Sequence, residues 1–182
     1  MMNDIYIWLE RLTSLYGSQV RHAANSEGIQ PVHVEILQYL SICNRYSNTA
    51  QALSEYLGQT KGSISQSLKL LEKDGYVERH RCPNDKRITR LHLTTKAKAC
   101  VKRVSKFLMP NLGEAKKANE AVASLLKEWQ LKNDHHGFGQ CQTCRFNCKL
   151  AKEKFQCGLT GESLSIVEVK QICREHEFQS QS

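Results

Sequence analysis

The sequence lacks the common signatures of nucleotide and peptide chemistry. It has no glycine-rich phosphate loop, no dinucleotide fingerprint and no His-Glu-x-x-His motif. It has no apolar run that approaches the length of a membrane span. Residues Met1 to Leu12 carry Asp4, Glu10 and Arg11 and no basic leader, so no export signal is expected. These absences point away from the common enzyme classes and from membrane proteins, and towards a cytoplasmic protein that is not an enzyme.

Negative charge is also short. The 182 residues hold 26 Lys and Arg against 18 Asp and Glu, a net +8. Such a balance favours a polyanionic partner. Cysteine, in contrast, is plentiful at 8. Without an export signal, thiols are more often metal ligands or redox groups than disulfides.

The stretch from Gln59 to Thr95 organises the chain. Thr60 is a good N-cap and Gly75 a good closing residue for one helix. Within it Ile64, Leu68 and Leu71 fall on one apolar face. Ser65, Gln66 and Lys69 point the other way, as side chains that read base edges and phosphates in a major groove do. A hairpin follows. Leu91 and Leu93 alternate with Arg90 and His92, and Pro83-Asn84-Asp85 is a turn signal. Between Lys61 and Lys106 stand 13 Lys or Arg, opposed by Glu72, Asp74, Glu78 and Asp85 alone. That is the footprint of counterion release on nucleic acid.

Helices are expected before and after this stretch. The first covers residues 2–24, with Ile5, Leu9, Leu12, Tyr16 and Val20 on its stripe. Pro31 opens a second that runs to about Cys43. Asn48 is expected to cap a short third, with Gln51 reaching back to it. Cys43 and Cys100 sit among apolar residues and read as core. A break is expected at Pro110 and Gly113, then a helix from Glu114 to Leu131.

Residues 30–130 resemble the winged helix-turn-helix domain of the MarR family of bacterial transcription regulators. The resemblance is carried by Thr60-Lys61-Gly62-Ser63-Ile64-Ser65, by Leu71-Glu72-Lys73-Asp74-Gly75, and by Asp85-Lys86-Arg87 ahead of Leu93-Thr94. It implies a mainly α fold with a small β-hairpin wing, and a homodimer built on the first and last helices. It implies a double-stranded DNA operator as partner, with Thr60, Lys61, Ser63, Ser65, Gln66 and Lys69 at the DNA. Arg87 and Arg90 would meet DNA from the wing, with Asp85 as wing support. It also implies a small-molecule effector, which no residue identifies.

The resemblance does not extend to the tail. Residues 1–131 form the expected DNA-binding and dimerisation domain, and residues 138–182 a Cys-rich module. Cys141-x2-Cys144-x3-Cys148-x8-Cys157-x15-Cys173 suits a four-thiolate metal site. The expected ligands are Cys141, Cys144, Cys157 and Cys173, with Cys148 and His176 in reserve and His135 weaker. A helix is expected after Gly161, capped by Ser165 and Glu168. It would carry Val169, Ile172, Cys173 and His176 on one face. Zinc is expected first, because it is commoner in small four-thiolate modules, and an iron–sulfur cluster next. Such a centre would brace the fold or sense metal or redox state. Two rivals remain: a thiol–disulfide redox protein using Cys141 and Cys144, and a metal-stapled protein-interaction adaptor. The first lacks the usual βαβ setting, and the intact basic helix and wing speak against the second.

Overall fold

A computed structural model describes residues 4–82, 85–108, 116–133 and 137–179. The break expected at Pro110 and Gly113, the Pro83-Asn84 part of the wing turn, and His135 lie outside the described residues. The chain runs α1 (Asp4–Glu27), α2 (Pro31–Ile42), α3 (Ala50–Leu57), α4 (Lys61–Lys73), β1 (Val77–Arg81), β2 (Thr89–Leu93), α5 (Thr95–Leu108) and α6 (Lys116–Lys132). Strands β1 and β2 pair antiparallel from Val77 with Leu93 to Arg81 with Thr89. This is a mainly α fold with a two-stranded wing. None of its described helices is long and apolar enough to cross a membrane.

Local chemistry sets the helix ends. The Thr60 hydroxyl accepts from the Ser63 N–H at 3.2 Å and so caps α4. At the other end Gly75 has a φ of 71°, and the Tyr76 N–H returns to the Leu71 carbonyl at 2.8 Å. A side chain at residue 75 would oppose that closing turn. The expected cap of α3 is displaced by one residue. Thr49 accepts from the Ala52 N–H, whereas Asn48 turns inward and donates to the Leu91 carbonyl at 3.1 Å. Gln51 pairs with Glu55 instead.

One core gathers helices α1 to α5. Ile36, Leu37, Leu53, Ile64, Leu68 and Leu71 are fully buried, and Val77 and Leu91 of the wing and Val104 of α5 join them. Each such side chain contributes about 1.5–3 kcal/mol on leaving water. Outside, α1 exposes Ile5, Trp8, Leu12 and Tyr16, and α6 exposes Val122, Leu126, Trp129 and Leu131.

The tail folds as short strands around turns. β3 (Gly139–Gln140) pairs with β7 (Ile172–Cys173), and β4 (Asn147–Ala151), β5 (Lys154–Cys157) and β6 (Ser163–Leu164) make a second small sheet. The helix expected after Gly161 does not form. Ser165 and Glu168 do bond reciprocally, but the turn they start lasts only from Glu168 to Lys170. Beyond it the backbone extends, because its groups are taken by other segments. The Cys141 N–H takes the Gln171 carbonyl and the Asn44 N–H takes that of Ile172. Long-range pairing overrides the local helix signal here. Phe138 enters the main core, edge-on to Tyr56 at 5.2 Å, so the tail packs on the winged helix from its first residues.

His33 lies in α2, 5 % exposed, and its Nε2 has no hydrogen-bond partner. Burial lowers its pKa below 6.5, against a smaller opposing pull from Asp74. The unfolded chain therefore binds this proton at a pH where the folded chain does not. Stability should fall as pH drops below about 6.5. Urea unfolding at pH 7.5 and pH 5.5 checks this, and His33→Leu should flatten the slope between them.

Candidate nucleic-acid interface and thiol pocket

Helix α4 presents Lys61, Gln66 and Lys69 to solvent, with Ser63 and Ser65 half-buried beside them. Thr60 is exposed, and its hydroxyl is committed to the cap. The amphipathic pattern dictates this division, since Ile64, Leu68 and Leu71 must face the core. In the wing, Asp85 takes Arg87 through two carboxylate–guanidinium bonds of 3.1 Å and also accepts the Arg87 N–H at 3.0 Å. The pair holds Asp85 below the usual carboxylate range and raises Arg87. The Arg87 side chain is still 91 % exposed, so its charge remains available. Arg90 behaves differently. Its guanidinium turns back from β2 to the Tyr46 carbonyl at 2.7 Å.

The second constellation lies between tail and wing. A pocket of about 590 Å³ is walled by Cys141, Cys144, Cys157 and Cys173 of the tail. Its other walls come from Asn44 and Tyr46 of the α2–α3 connection and from Arg79, Arg87 and Arg90 of the wing. The four cysteines expected as ligands therefore line one space. Burial pushes the Cys141 thiol up to about 12, and the nearby thiols of Cys173, Cys144 and Cys157 add to the rise in that order. Burial also raises Cys173, whereas hydrogen bonding to Asn44, the Glu175 N–H and Ser47 opposes the rise. The Glu177 N–H lies 3.5 Å from the Cys144 sulfur. Among the described residues, no group of three His, Cys, Asp or Glu stands close enough to hold a single metal ion as placed.

The two reserve ligands lie elsewhere. Cys148 is exposed on β4, where it pairs across to Gln156 and does not wall the pocket. His176 is 3 % exposed, with its Nε2 on the Thr143 hydroxyl at 3.0 Å. Its ring packs against the Gly139 backbone, where a Cβ would approach to 2.8 Å. Its Nδ1 is buried without a hydrogen-bond partner.

The sequence reading missed Asn44, Tyr46 and Arg174. The Asn44 Oδ1 accepts from the Tyr46 N–H, the Ser47 N–H and the Ser47 hydroxyl. Arg174 binds Glu55 of α3 through two guanidinium nitrogens. The run Asn44-Arg45-Tyr46-Ser47-Asn48 is more densely polar than a short connection needs, which is the signal that was there to find.

Residues 27–88 match the model of the MarR family. CouR from Rhodococcus jostii RHA1, solved bound to p-coumaroyl-CoA, aligns with a TM-score of 0.59 at 16 % identity, over 69 % of this chain and 92 % of that one. A MarR-family regulator from Silicibacter pomeroyi gives 0.57 at 19 %, over 69 % and 87 %. Wild-type MarR from E. coli, in its apo form, gives 0.52 at 22 %, over 74 % and 98 %. At these identities the likeness is one of fold.

Thiol labelling checks the placement of the cysteines. Exposed Cys148 should be alkylated first. Buried Cys43, Cys100 and Cys141, whose thiols burial pushes up to about 12, about 11 and about 12, should be slowest. Time-resolved mass spectrometry at pH 8 reads the order directly.

Proposed function

We infer that this chain, whose residues 27–88 match the MarR family model, is a homodimeric, sequence-specific DNA-binding transcription regulator rather than an enzyme. The observation that carries the reading is the pairing of two exposed features. Helix α4 offers Lys61, Gln66 and Lys69 on one free face, and the wing offers an Arg87 that Asp85 pre-positions. An amide flanked by cations suits a major groove, and a guanidinium held at the tip of a wing suits phosphates or a narrow minor groove. The dimer is supported by the apolar side chains that α1 and α6 leave exposed, Trp8 and Trp129 among them.

The tail extends the reading. Four thiols that share one pocket with Arg79, Arg87 and Arg90, and with sulfur-directed donors behind them, suit a four-thiolate metal centre. The nearby guanidiniums would balance its negative charge. Cys141, Cys144, Cys157 and Cys173 would hold the metal, which would tie the strands of the tail together.

DNA binding is tested by footprinting on duplexes enriched from a random pool, with light scattering for mass. A dimer should protect two half-sites about one helical turn apart. Gln66→Ala should relax preference at one base position by about 1–3 kcal/mol. Arg87→Ala should weaken all sequences alike and reduce the salt dependence. A monomer that protects one half-site at full affinity would contradict the dimer, and equal sequence-independent losses for both variants would show that Gln66 reads no base.

A further inference from the structure

We propose that the pocket between tail and wing holds an iron–sulfur cluster on Cys141, Cys144, Cys157 and Cys173, and that its presence raises DNA affinity by seating the wing. The proposal rests on the four-thiolate reading above and commits it to a species and a role.

The species follows from size. A tetrahedral zinc with Zn–S bonds near 2.3 Å draws its four sulfurs to about 3.8 Å from one another. The four cysteines line one space of about 590 Å³, with Phe146 and Leu164 among the other residues of its wall. A cluster interposes several iron and sulfide atoms between its thiolates and so suits ligands set apart. Backbone and side-chain donors aimed at the sulfurs, such as the Glu177 N–H at Cys144, are among the groups that tune such a cluster.

The role follows from what the same residues touch. Cys173 faces Asn44 and Ser47, whose mutual bonds shape the α2–α3 connection. The next residue, Arg174, donates its N–H to the Ser47 hydroxyl at 2.8 Å. Two residues of that connection grip strand β2 of the wing. Asn48 exchanges bonds with Leu91 in both directions, its amide to the Leu91 carbonyl and the Leu91 N–H to its carbonyl. Tyr46 offers its carbonyl to Arg90. A ligand of the proposed cluster and the base of the wing are thus fixed by one run of that connection, Asn44 to Asn48. Filling the pocket would hold the tail against that connection and hold Arg87, itself a wall of the pocket, in its working place. Less ordering then remains for DNA to impose, which raises affinity.

The test is anaerobic reconstitution of the full chain with iron and sulfide, and in parallel with zinc. Metal, acid-labile sulfide, the visible spectrum and affinity for one enriched duplex are measured in each case. The expected result is iron and labile sulfide in equal amounts, with affinity on the order of ten-fold above the metal-free chain. Asn48→Ala, which breaks the side-chain tie to β2, should load the cluster as well as the parent does and lose most of that gain. Stoichiometric zinc without retained sulfide would overturn the cluster while leaving the four-thiolate reading intact. Full metal retention in both Cys157→Ser and Cys173→Ser would overturn the four-thiolate reading itself. A loaded cluster with unchanged affinity would overturn the coupling to the wing.

Discussion

The side chain of Asn44 is the constraint on which the arrangement of tail and wing depends. It is 2 % exposed, and its Oδ1 accepts from three donors, the Tyr46 N–H, the Ser47 N–H and the Ser47 hydroxyl. Its backbone N–H meanwhile bonds the Ile172 carbonyl at 2.9 Å, beside a bridge between Cys43 and Ile172. A buried amide with all these bonds made is stabilising, but one with a missing partner costs about 1–3 kcal/mol. The connection therefore holds its shape with the tail in place, and the tail holds its place because the connection has that shape.

Several features follow from this mutual dependence. The tail buries little apolar surface of its own, chiefly Cys141, Leu164 and Val169, with Tyr46 lent by the connection. So thin a core needs either a staple or a larger neighbour. The winged helix supplies the neighbour through Phe138 in its core and through Arg174 on Glu55. Arg45 adds exposed ties to Glu162 and to the Ser163 carbonyl, which orient more than they stabilise. The wing shares the seat, since Asn48 and Tyr46 bond β2 from the same five residues. Exposed charge gathers where the chain faces outward, on Lys61, Lys69, Lys86 and Arg87.

Much of the winged helix was legible because its signals are local. Thr60 and Gly75 mark the ends of α4 through bonds that span a few residues, and Ile64, Leu68 and Leu71 repeat with the helical period. The alternation of Leu91 and Leu93 marks β2 for the same reason. The misreadings arise where distant partners decide. Asn48 has good capping chemistry, yet a wing carbonyl claims its amide and Thr49 takes over the cap. Ser165 and Glu168 do form their box, yet pairing of Ile172 and Cys173 with Gly139 and Gln140 prevents a helix. The spacing of Cys141, Cys144, Cys157 and Cys173 pointed to one shared site, but no local pattern could place that site against the wing. The polar run from Asn44 to Asn48 was readable as a cluster, not as a junction.

The central claim is that tail and wing are held by one connection. Amide hydrogen exchange on the full chain, read by mass spectrometry, tests it most directly. Protection should be compared for residues 43–48, 89–93 and 170–175, before and after anaerobic loading with iron and sulfide, and in Cys173→Ser. The account predicts that all three segments gain protection together on loading, the Leu91 amide included, and lose it together in the variant. Gains confined to 170–175, with residues 89–93 exchanging as before, would contradict it.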